Sequence, residues 1–293
     1  MWTTRFVRRI ALALAAAFTL VSVAACGGDS DSDGKKIRIG YISWDEAIAA
    51  SYLWKNILES KGYEVELKNA EAGVVYQGLA RGDIDLFLDG WLPQTHASYW
   101  DEYGDKIEKI GVWYENASLS IAVPAYVDQV NSLADLTAHA DLFNGEITGI
   151  DPGAGLTQAT QDKVIPTYGL SDAMRLKTSS TPAMLAALDA AIADREPIVV
   201  TLWHPHWAYA RYELKDLADP EGTLGGAEEI TIMARSGFST DFPEVTEMLK
   251  KFRMDDQQLG SLEDLMFNVH KDDEEKAVEE WLKANPDYLG ALS

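Results

Sequence analysis

The chain has 293 residues, 47% of them hydrophobic, enough to build a core in one large or two moderate α/β domains. Its formal charge of -22 argues against nucleic acid as a partner and against electrostatic adhesion to anionic lipid. With one cysteine, disulfides and thiolate metal sites are excluded.

Arg5, Arg8 and Arg9 precede the apolar run IALALAAAFTLVSVAA, Ile10 to Ala25, which is short for a membrane span and ends in small residues, as a secretory signal does. VAAC, Val23 to Cys26, looks like a bacterial lipobox, in which Cys26 becomes the acylated first residue and membrane anchor. A free thiol there would be a liability in an oxidising compartment. Loss of the three leader arginines takes the formal charge from -22 to -25. GGDSDSDGKK, Gly27 to Lys36, has no apolar residue and reads as a flexible tether. The expected layout is therefore a signal peptide over 1–25, the acylated cysteine and tether over 26–36, and the fold beyond.

KIRIGYIS (Lys36 to Ser43) has a strand pattern, and AIAASYLWKNILESKG ends at Gly62 as a helix should; Ser43 or Asp45 is placed to cap it, with Glu46 in a capping box. YEVEL, GVVYQGLARG and DIDLFLDG continue as strand, helix and strand, a βαβαβ order that predicts a parallel sheet. After SLSIAVPAYV a second set begins. EITGID (Glu146 to Asp151) is a strand, LTQATQDKVIPTYG a helix, MRLKTS a strand, TPAMLAALDAAIADRE a helix with Pro182 in its first turn, and PIVVTLW a strand. Two similar α/β units predict two lobes. Beyond EEITIMARSG the pattern is helical to the end.

In open parallel sheets, ligands sit outside the carboxyl ends of the strands. Trp44, Trp91 and Trp203 each stand at such an end, and although one tryptophan there is commonly a packing residue, three in equivalent positions point to a cleft lined with indoles. Trp54, Trp100, Trp113, Trp207 and Trp281 lack that placement and are assigned to structure. An indole box suits a quaternary ammonium, which has no N–H to donate but whose charge and methyl groups are attracted by π faces. In GIDPGAGLTQAT a strand ends and a helix starts near Gly155; its unpaired amides can take an anion, or the glycines can simply make a tight turn. His96, just after Trp91, can donate to a carboxylate or can be structural. A cationic head with a carboxylate tail is a zwitterion, for which contacts of this kind predict an affinity around the micromolar range.

WHPHW, Trp203 to Trp207, also offers His204 and His206 as metal ligands, but no cysteine, third histidine or HExxH arrangement completes a set. The two histidines are expected to shape the turn, with Trp207 and Tyr209 behind the cage or at its rim. Asp45 and Asp89 are close to cage residues in sequence and are expected to cap or to be solvated at strand ends. No GxSxG elbow and no Walker loop is present, so no enzyme is expected.

YISWDEAIAASYLWKNILESKGYEVEL, EAGVVYQGLARGDIDLFLDGWLPQTH, GIDPGAGL and TLWHPHWAYARYELKDLADP together resemble the glycine betaine and proline betaine binding proteins of ABC importers, over nearly the whole mature chain. The resemblance implies an α/β fold of the two-lobed periplasmic-binding-protein type (type II), with two crossover strands and a cleft between lobes. Lobe I would hold residues 37–122 and 229–293, and lobe II residues 123–228. It implies an ammonium cage of Trp44, Trp91 and Trp203, with the carboxylate on the backbone amides of Gly155 and Leu156 and on His96. It also implies no cofactor and no metal, a monomeric lipid-anchored receptor outside the cytoplasm, and an ABC permease with a cytoplasmic ATPase as partner. Choline or carnitine stays open as the solute, and an enzyme acting on betaines is the alternative from another class.

Overall fold

The computed structural model describes residues 36–271 and 273–292. The predicted signal segment, Cys26 and the tether up to Lys35 lie outside the described residues. Among those described, no helix is long and apolar enough to cross a membrane.

The first half follows the predicted order: β1 (Lys36–Tyr41), α1 (Asp45–Ser60), β2 (Glu64–Asn69), α2 (Ala72–Arg81) and β3 (Leu86–Leu92). Both β2 and β3 pair with β1 in parallel. In α1, Ala47, Ala50, Leu53, Trp54, Ile57 and Leu58 recur at helical spacing and are buried. The start of α1 differs from expectation. Trp44 is the N-cap and no side chain caps the helix, because Asp45 and Glu46 bond elsewhere.

β4 (Ile107–Pro124) is 18 residues long and joins the two halves of the sheet. Its first part runs antiparallel to β9 (Glu228–Arg235), from Ile107 opposite Arg235 to Ala117 opposite Glu228. From Ser118 onward it pairs antiparallel with β7 (Val200–His204), and its end pairs with β8 (Leu214–Asp216). β5 (Glu146–Thr148) lies parallel to both β7 and β6 (Arg175–Lys177). The order is therefore β2-β1-β3-β9-β4-β7-β5-β6, with β8 beside β4. The chain crosses between halves twice, within β4 and between β8 and β9. The sequence reading passed over the first part of β4, whose register shifts near Gly111, Val112 and Tyr114 break the two-residue alternation of a regular strand.

In the second half, the helix expected over 156–169 is divided into α4 (Gly155–Ala159), a π turn (Thr160–Val164) and α5 (Ile165–Thr167). α6 (Thr181–Asp194) begins as predicted, with Ser180 accepting from the Ala183 amide and Pro182 in the first turn. The chain ends in α8 (Phe238–Asp241), α9 (Pro243–Lys251), α10 (Asp256–Asp264), α11 (Glu274–Ala284) and α12 (Tyr288–Ala291), after the short α3 (Ala97–Tyr103) and α7 (Ala208–Arg211) earlier in the chain. The core of the first half centres on Phe252, which meets Trp54 edge-on at 5.4 Å and stacks on Trp113 at 5.1 Å. Trp54, Trp113 and Trp281 are thus packing residues, as assigned.

Candidate ligand-binding site

Trp44 follows β1, Trp91 lies near the end of β3 and Trp203 lies in β7, and the fold brings all three to one small cavity. Each is nearly inaccessible, with 5%, 2% and 3% of its surface exposed. The wall is completed by Leu119 of β4, by Ile150 and the Ala154–Leu156 turn after β5, and by Thr95 and Glu46. Five of the six residues expected to hold ligand therefore face one cavity. His96 does not line it.

Each of the three cavity indoles donates its N–H to a carboxyl group. Trp44 Nε1 reaches Asp151 at 3.0 Å, Trp91 Nε1 reaches Asp89 at 2.9 Å, and Trp203 Nε1 reaches Glu46 at 2.9 Å. Behind them Trp207 donates to Asp45, and His206 Nε2 stands 3.3 Å from the same carboxyl. The expectation that Asp45 and Asp89 cap or are solvated is corrected: they are 3% and 1% exposed and serve as indole acceptors. Burial raises Asp45 to about 7 and Glu46 to about 8, and it raises Asp89 and Glu263 well above the carboxylate range. Neutral indole donors each take one oxygen of Asp45, Glu46 and Asp89, while Asp89 Oδ2 and both Glu263 oxygens have no partner among the described residues.

His96, the N-cap residue of α3, is fully buried and stacks on Trp44 with ring centres 5.6 Å apart. Its Nδ1 accepts from the Trp91 amide at 3.1 Å and faces the Tyr76 hydroxyl at 3.1 Å, which puts the ring proton on Nε2. That Nε2 has no partner among the described residues. Burial lowers the imidazole to about 3, so it is neutral. The turn at Gly155 has Ala154 as N-cap and no side-chain acceptor, while Thr157 Oγ1 donates to the Asp151 carbonyl at 2.7 Å. Its first amides are left without a cap.

In WHPHW, His204 Nε2 lies 2.7 Å from Asp216 and its ring stacks on Tyr209 at 3.9 Å. His206 Nδ1 accepts from the Ala208 amide at 3.1 Å, and its edge meets Trp203 at 4.7 Å. Both shape the turn behind Trp203. Among the described residues, no group of three or more histidine, cysteine or acidic side chains is arranged to hold a metal ion.

Sequence reasoning missed Glu46, Asp89 and Asp151 as partners of the indoles. The signal was present in SWDE, LDGW and GIDPG, where each carboxyl lies near a cavity tryptophan or the turn at Gly155. Local rules assign Glu46 to a capping box and Asp89 to strand-end solvation and give Asp151 no role, because the partners of Glu46 and Asp151 are distant in sequence.

Two halves of one sheet, crossed twice by the chain and shut over a buried aromatic cavity, define a mixed α/β solute-binding fold of the periplasmic type. The chain belongs to the family described as the substrate-binding domain of the ABC-type glycine betaine transport system, which matches residues 35–284. It is 39% identical over 160 residues to the glycine betaine/carnitine transport binding protein GbuC of Listeria monocytogenes, a match that spans 53% of this chain and 52% of that protein. Among solved structures, the glycine betaine/L-proline-binding protein ProX of Borrelia burgdorferi superposes with a TM-score of 0.83 at 32% identity, covering 88% of this chain and 96% of that one. Lactococcal OpuAC, in a closed form with glycine betaine, gives 0.81 at 33% identity and 88% and 99% coverage. A choline binding protein in complex with choline gives 0.81 at 27% identity and 89% and 92% coverage.

Proposed function

We propose that this protein is the receptor of an ABC importer that captures a quaternary-ammonium zwitterion, glycine betaine or proline betaine, outside the cytoplasm for osmoprotectant uptake. The observation that carries this reading is the convergence of Trp44, Trp91, Trp203, Gly155 and Leu156 on one small cavity. The three indoles hold the ammonium by cation–π attraction, each desolvated face contributing up to about 2 kcal/mol. The Gly155 and Leu156 amides take the carboxylate at the uncapped helix start, and His96, although it lies behind the cavity lining, is assigned as the side-chain donor for it because its Nε2–H has no partner among the described residues. The solute bridges residues 37–122 and 229–293 on one lobe and 123–228 on the other, so binding favours closure. Cys26 anchors the monomer to the membrane by a lipid, and the closed form docks on a permease driven by a cytoplasmic ATPase.

Tryptophan fluorescence titration with glycine betaine, proline betaine, carnitine, choline and proline tests the reading. A saturable micromolar response to the betaines is expected, and silence toward every quaternary amine would overturn it. A choline receptor is the second reading, favoured by the Glu46 carboxyl in the cavity wall and by the choline-bound relative. Tighter binding of choline than of glycine betaine would establish it.

A further inference from the structure

Two of the three indole–carboxyl bonds run across the cleft, and they are reciprocal. Trp44 stands beside β1 in the first sheet half and donates to Asp151, after β5 in the second. Trp203 stands in β7 of the second half and donates to Glu46, in the first turn of α1. Trp91 differs: its acceptor, Asp89, is two residues away in the same strand.

We propose that Glu46 and Asp151 are cross-cleft positioning residues of the cage, each fixing the indole carried by the opposite half so that two of the three rings take their binding orientation only as the cleft shuts. This rests on the cage reading given under Proposed function. A buried indole N–H needs an acceptor, and in the open cleft water supplies it. Closure exchanges that water for a carboxyl in a site shielded from solvent, where the hydrogen bond is stronger. The start of α1 gives independent support. Asp45 and Glu46 occupy a first helical turn that no side chain caps, yet both accept from indoles of the other half, Trp207 and Trp203. Tyr99 strengthens the same seam by donating from the first half to the Gly153 carbonyl at 2.8 Å. Ring orientation and lobe closure are thereby one event.

Residues 36–292 hold the whole fold of the solved relatives, which the chain covers at 96% and 99% of their length, so a chain beginning at Gly27 keeps the fold and has no cysteine. Dyes on cysteines introduced at the exposed Lys61 and Asp194, on opposite halves, report the closed fraction by energy transfer. Glu46→Ala and Asp151→Ala should each lower the closed fraction of the ligand-free protein. They should also speed dissociation of glycine betaine and of 3,3-dimethylbutanoate, the isostere that keeps the carboxylate but replaces the ammonium by a neutral tert-butyl group, with about tenfold weaker binding of both. Glu46→Gln and Asp151→Asn, which keep an acceptor, should recover to within about threefold. Alanine variants with wild-type closure and dissociation overturn the proposal, as do Gln and Asn variants that are no better than Ala. Loss of betaine but not of the isostere in Glu46→Ala would make Glu46 a direct charge contact and overturn its positioning role. If the wild-type protein bound no quaternary amine, the functional reading would fail, and the ligand-free closed fraction would still decide this proposal.

Discussion

Gly155 and Thr95 meet across the cleft so closely that a β-carbon added to Gly155 would lie 2.6 Å from Thr95 Cγ2 and nearer still to the Thr95 carbonyl oxygen. Thr95 is held in place from behind: Glu228, 2% exposed at the start of β9, accepts from its amide at 2.9 Å and from its hydroxyl. The glycine is required by the closed cleft, since its backbone has no left-handed φ to explain it. Gly155→Ala should therefore leave the ligand-free fold intact and oppose closure, because overpacking costs about 1–3 kcal/mol. Calorimetric titration should show betaine binding about 10- to 100-fold weaker at nearly unchanged melting temperature. Wild-type affinity would show that the cleft never closes onto Thr95.

Trp203 presents one wall of the cavity, and its ring is backed edge-on by His206. Trp203→Ala removes a desolvated π face and should weaken betaine binding by at least about tenfold. Unchanged affinity in a fluorescence or calorimetric titration would take Trp203 out of the cage.

The donor assigned to the carboxylate is the His96 Nε2–H. His96→Ala should accordingly weaken glycine betaine more than choline, which has no carboxylate to lose. Equal losses for the two would mean that His96 acts only as the support stacked on Trp44. Since burial holds His96 and His206 down to about 3, neither titrates between about pH 5 and 8, and affinity over that range should show no histidine step.

Burial raises Asp45 to about 7 and Glu46 to about 8, whereas both titrate near about 4 in an unfolded chain. Between those limits the folded protein holds protons that the unfolded chain has released, so stability falls as pH rises from about 4 through about 8. The melting temperature of the ligand-free protein should drop between about pH 5.5 and 8, each kcal/mol being worth about 2–4 °C in a domain of this size. Glu46→Gln should flatten the fall, and a variant as pH-sensitive as wild type would assign the linkage to other groups. Asp85 acts in the opposite sense. Arg38 and Arg235 hold it below the usual carboxylate range, so its contribution is lost only as pH drops below about 4.

The alternation of strands and helices, the parallel pairing around β1 and the placement of Trp44, Trp91 and Trp203 at strand ends were legible in the sequence, because periodicity and turn chemistry act over a few residues. Gly155 and Leu156 were legible for the same reason, as a helix start in a glycine-rich turn. The long β4 was not, since its bulges erase the alternation that marks a strand. Nor was the function of Asp45, Glu46, Asp89 and Asp151. Locally a carboxyl before a helix is a cap and one at a strand end is solvated, and only closure of the cleft offers three of the four an indole over a hundred residues away. The sequence by itself determined that Trp44, Trp91, Trp203, Gly155 and Leu156 stand at strand ends and a helix start, through short-range patterns of polarity. Tertiary structure alone decided what each of them touches there, because a buried polar group takes its partner from whatever the packing brings within hydrogen-bond reach.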